Sequence, residues 1–109
     1  MALNPQIVAL RTYLRDTIRT LITAQDATED IEVFRRLGHQ IREMEHRSMM
    51  LGRLEFAAAS DALSKKLEPI AAGQAELDAA VEDMEKLARL LQTMAKFLGM
   101  VDKLIDTLT

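Results

Sequence analysis

The 109-residue chain has no cysteine and no tryptophan, two prolines and four glycines, and its aromatic side chains are Tyr13, Phe34, Phe56 and Phe97. Each scarcity removes a class of protein. Without cysteine there is neither a disulfide framework nor a thiolate zinc site, and nothing argues for an oxidising compartment. Gly38, Gly52, Gly73 and Gly99 are scattered, so no glycine-rich loop cradles a phosphate. No uncharged stretch approaches the roughly 20 residues that span a bilayer. The first ten residues lack the basic start and long apolar run of a secretory signal, so a cytoplasmic location is expected. Charge of one sign is missing as well. Residues 1–53 carry 8 basic and 7 acidic side chains and residues 54–109 carry 6 and 10, for a net charge of −3. That balance argues against a nucleic-acid-binding arm.

What is abundant is Ala, Leu, Glu, Lys and Arg, the composition of helical bundles. From Leu77 to Leu108 apolar residues recur every seven positions along two lines. One is Leu77, Met84, Leu91, Leu98 and Ile105; the other is Ala80, Leu87, Met94, Val101 and Leu108. Spacings of three and four mark a helix that buries a narrow seam against a partner helix.

Three helices are expected. The first spans about 4–23: Asn4 can cap the free amides, Pro5 suits the first helical position, and Ile7, Leu10, Leu14, Ile18 and Leu21 form the buried line. Beside it Arg11, Arg15 and Arg19 form an i, i+4 ladder, read as a solvated edge, with a phosphate- or headgroup-binding stripe as the alternative. Asp26 with Glu29 resembles a capping box, with Thr28 as a rival cap, and opens a second helix over about 28–68. Its seam begins as Phe34, Leu37, Ile41, Met44 and Leu51 and continues, rotated, as Phe56, Leu63, Leu67 and Ile70. A stutter in a continuous helix accounts for the rotation, and a break near 58–61 capped by Ser60 or Asp61 is the alternative.

Glu68 to Gln74, with Pro69 and Gly73, reads as a hairpin turn, because a proline expels its predecessor from helical geometry and a glycine can reverse the chain; the alternative is that Pro69 starts the last helix early. The last helix then covers about 74–107, with Glu82–Lys86 and Glu85–Arg89 as outer i, i+4 pairs. Its apolar stripe widens after Ala88, as a helix touching two neighbours requires. The expected architecture is therefore all-α: one domain over 1–109, a long coiled-coil-like antiparallel hairpin with a shorter N-terminal helix at one end, forming a three-helix bundle.

Chemistry-bearing constellations are few. His39, Glu43 and His46 share one helix face, and Glu43 and His46 have the Glu-x-x-His spacing with which carboxylate bundles hold two iron ions. Such a centre needs two copies of that motif and two further glutamates, so a solvated face is the preferred reading and neither metal nor other cofactor is expected. Ser48 lies in no nucleophile turn and points away from His46 on the same helix. Enzyme activity is not expected.

Met44, Met84 and Met94 fall on seams, whereas Met49, Met50 and Met100 fall off them; Ala57, Ala58 and Ala59 follow Phe56 as a small-residue patch. Flexible methionine and close-packing alanine suit helix-binding surfaces. Met49, Met50, Phe56, Ala57 and Met100 are accordingly the candidate partner-binding residues. The leading functional reading is a non-enzymatic helical interaction protein, an adaptor, secretion-type chaperone or assembly subunit, that binds a protein partner or its own copies. No small-molecule substrate is expected. A membrane-active helical protein, using the first or last helix on a lipid surface, is the alternative.

Overall fold

Four helices, not three, make up the computed structural model, which describes residues 3–109. They are α1 (Pro5–Ala27), α2 (Ile31–Gly52), α3 (Asp61–Glu82) and α4 (Leu87–Leu108). No strand occurs among the described residues. The chain divides after Ala57 into two compact units, one in which α1 packs on α2 and one in which α3 packs on α4.

In the first unit Asn4 caps α1 as expected: its side-chain oxygen accepts from the amides of Gln6 at 3.0 Å and Ile7 at 3.4 Å. The same side chain donates to the Ala57 carbonyl at 2.9 Å, and the Asn4 amide donates to the Glu55 carbonyl. The chain leaving α2 is thereby tied to the start of α1. α1 runs to Ala27, about a turn beyond the expected end. Asp30 caps α2 in place of the expected Asp26 or Thr28, accepting from Glu32 at 2.9 Å and Val33 at 3.2 Å, while the Thr28 hydroxyl accepts from the Asp30 amide. Two seams with spacings of three and four meet: Ile7, Leu10, Leu14, Thr17 and Leu21 on α1, and Leu37, Ile41, Met44, Ser48 and Leu51 on α2, all buried. Buried Thr17 satisfies its hydroxyl on the Tyr13 carbonyl at 2.9 Å. Phe34, expected in this seam, is instead exposed near the loop.

The single helix expected over 28–68 is corrected to two. α2 ends at Gly52, turns follow through residue 56, and Ser60 caps α3 by accepting from the Leu63 amide at 3.1 Å. The Glu68–Gln74 turn does not form. α3 continues through Pro69, an exposed residue, because Leu63, Ile70, Gly73, Leu77 and Ala80 keep one buried line on both sides of it. The helix expected over 74–107 is broken at 83–86. There the Asp83 amide donates to Ala80 and the Lys86 amide to Asp83, and α4 starts without a side-chain cap.

The seam of α4 is Leu90, Met94, Phe97, Val101 and Leu104, with Leu98 and Ile105 widening it. Gly73 supports that seam by being small: a Cβ there would stand 3.2 Å from Phe97 and 3.3 Å from the Met100 sulfur. Lys96 reaches Glu76 across the hairpin at 3.3 Å.

Candidate functional site

The two hairpins differ in how much large apolar side chain they leave exposed. Among the described residues the exposed large apolar side chains are Leu3, Ile22, Ile31, Phe34, Met49 and Phe56, from 39% exposed for Ile22 to 84% for Ile31. All six belong to the first unit. Scattered exposed apolar residues are ordinary, but their confinement to one half of a chain is informative.

All but Met49 occupy the two ends of the first hairpin. At the loop end, Ile22 closes the last turns of α1 and Ile31 and Phe34 open α2; Gln25 binds the two helices there by donating to the Phe34 carbonyl at 3.0 Å. At the other end, Leu3 and Phe56 flank the hydrogen bonds that join Asn4 to Glu55 and Ala57.

Between the ends lies a groove of about 400 Å³, lined by Arg11, Arg15, Ile18 and Arg19 from α1 and Glu45, Ser48 and Met49 from α2. The i, i+4 arginine ladder thus edges a cleft floored by apolar and small side chains. Arg11 lies across Gly52, where a Cβ would approach its guanidinium carbon to 2.9 Å, and its Nη1 donates to Glu55 at 2.7 Å. Its Nε is buried without a partner, a cost of holding the guanidinium flat in that position. Arg19 stands 3.9 Å from Asp16, a weak exposed pair. Arg15 and Glu45 engage in no ion pair among the described residues, so both charges face the groove open to a partner.

The predicted binding residues are only partly brought together. Met49 enters the groove, Phe56 is exposed at the end of the hairpin, and Met50 and Ala57 are half-buried in the same unit. Met100 belongs to the second unit, where it packs toward Gly73 on α3. Sequence reasoning missed Ile22, Ile31 and Phe34. Phe34 falls on an apparent seam, Ile31 follows a connection shorter than the expected one, and Ile22 lies inside α1 one position beyond the buried Leu21.

The His39–Glu43–His46 face holds no metal-like cluster; no group of three His, Asp or Glu side chains among the described residues is disposed to bind an ion. Glu43 is claimed by Arg47 at 2.6 Å, a bond that lowers its pKa, while His39 stands 3.9 Å away. Glu32 is held at about 2 by hydrogen bonds from Arg35 and then Arg36. The Glu32 pairs are exposed near the loop end, whereas the Glu43–Arg47 pair is half-buried in the middle of α2.

No family model matches the chain, no curated protein is detectably similar to it, and no solved structure matches it. Its functional reading therefore rests on its own surface chemistry. No described helix is long and apolar enough to cross a membrane.

Proposed function

We propose that this is a non-enzymatic helical interaction protein whose first hairpin presents the binding surface and whose second hairpin is structural. The observation that carries the reading is the confinement of every large exposed apolar side chain among the described residues to the first hairpin. A two-helix unit of under 60 residues has little interior, and apolar side chains left on its surface gain from being covered by another helix. An additional helix laid against the groove would meet the side-chain ridges of Arg15 and Arg19 on α1 and of Glu45 and Met49 on α2, each pair at a spacing of four. Arginine rims favour a carboxylate-bearing partner.

The membrane reading draws less support. Leu90, Met94, Phe97, Val101 and Leu104, the apolar line that would enter a lipid surface, are buried against α3, so membrane binding would require that hairpin to open. The interaction reading is tested by fluorescence of an apolar-patch dye on the purified chain and on Phe34→Glu and Met49→Glu variants. Dye binding that falls in both variants supports it. A wild-type chain that is monomeric and leaves the dye dark overturns it.

A further inference from the structure

Along α1, residues 11, 15, 18, 22 and 26 follow one another at spacings of four, three, four and four, the line that shares one face of a helix. In order they are Arg, Arg, Ile, Ile and Asp: basic at one end, apolar in the middle and acidic at the other. Arg11, Arg15 and Ile18 are placed on this face by the groove that they line, and Ile22 and Asp26 continue it, exposed, toward the loop. On α2, Phe34 is three helical turns from Glu45, so the loop-end apolar side chain lies on the groove side of its helix. The face is level between them: Gly38 has no side chain, and the amide of Gln25 and the guanidinium of Arg42 lie over it.

This stripe is its own complement when reversed. Arg15 and Asp26 are equidistant from a point between Thr20 and Leu21, and Ile18 and Ile22 straddle nearly the same point. We infer that the first hairpin docks on a second copy of this chain through an antiparallel, two-fold α1–α1 contact, in which Arg15 of each copy faces Asp26 of the other across the exposed Ile22 of both, with Ile18 buried at the groove beneath. A two-fold interface uses the same patch on both copies, which requires the self-complementary order of charges that this stripe has. Asp26, like Arg15, is in no ion pair among the described residues, so neither has a bond to break on docking. The same antiparallel placement brings the loop-end Ile31 and Phe34 of one copy to about the level of Met49 on the other, covering apolar surface on both sides of the two-fold axis.

The inference rests on the first hairpin being the binding unit and adds the occupant. Its test is light scattering coupled to size exclusion on the full chain over a range of concentrations, for the wild type, Arg15→Glu, Asp26→Arg and the double variant. Both positions are exposed, and circular dichroism reports whether each variant keeps the wild-type helicity. The wild type is expected at twice 12.3 kDa. Each single reversal places like charges opposite each other twice and should dissociate the dimer at least tenfold more readily. The double variant restores opposite charges and the dimer, and an equimolar mixture of the two single variants forms a mixed dimer. Ile22→Arg, which brings cations to the centre of the contact, is a second dissociating variant that does not touch the ladder.

A wild-type monomer at every concentration overturns the proposal, as does a dimer indifferent to all three single substitutions or a well-folded double variant that stays monomeric. A monomer that still binds the apolar-patch dye overturns only self-docking and leaves the heterologous-partner reading standing. A monomer that leaves the dye dark ends both.

Discussion

Pro69→Ala should stabilise the protein. Pro69 stands inside α3, eight residues after its first residue and well before its last, where it donates no amide to the carbonyl one turn earlier and crowds that carbonyl with its ring. Proline in a helix interior is about 3 kcal/mol worse than alanine. Against this, proline restricts the unfolded chain, and its removal gives back about 0.4–1 kcal/mol. The ring is exposed, so truncation removes no core contact. The net expectation is a gain of about 2 kcal/mol, which at about 4–8 °C per kcal/mol for a small domain is roughly 10 °C in Tm. Urea denaturation followed by circular dichroism at 222 nm reads the same quantity as a higher midpoint at unchanged slope. If Pro69 instead formed a turn between helices, as the sequence alone implies, alanine would be neutral or destabilising. An unchanged or lower midpoint would refute a continuous α3.

Gly99→Ala should also stabilise, by about 0.5–1 kcal/mol, because a Cβ there meets nothing within 4 Å and alanine is the better helix former. Gly73→Ala should fail to show that gain, since its Cβ presses on Phe97; thermal melts of the two variants side by side make the comparison. Asn4→Ala removes the α1 cap and the bond to the Ala57 carbonyl, and should cost about 1–2 kcal/mol by denaturant titration. Glu32, held at about 2 from an ordinary 4.5, contributes stability that is present above its unfolded pKa and lost as pH falls from about 4.5 through about 2. Carboxyl NMR titration should place its midpoint near 2 in the wild type and nearer the ordinary value in an Arg35→Ala, Arg36→Ala double variant.

The all-helical class was legible because the seams are written in spacings of three and four, and the first helix was legible to its cap because Asn4–Pro5 is a local signal that tertiary contacts reinforce. The connections were harder to read. Ser60 was visible as a cap, but the apolar pattern on either side of residues 53–60 differs only by a rotation, which a stuttered helix and a broken one share. Pro69 and Gly73 have the chemistry of a turn, yet no residue with a positive φ occurs among those described, and Gly73 is used for close approach to Phe97. The seven-residue lines ran unbroken across the true turn at 83–86, so Met84 concealed it, while the observed seam of α4 follows Leu90, Phe97 and Leu104. The arginine ladder could be seen in the sequence; the groove beside it could not, because it depends on which residues of α2 lie opposite. Arg11 and Gly52 are 41 positions apart, and nothing local couples them.

The most direct test of the binding role of the first hairpin is an amide NMR dilution series on the full chain. Concentration-dependent shifts are predicted for the exposed face running from Arg11 to Asp26 on α1 and from Ile31 to Met49 on α2, with α3 and α4 unchanged. Shifts confined to residues 58–109, or association that leaves the α1 face unmoved, would contradict the account.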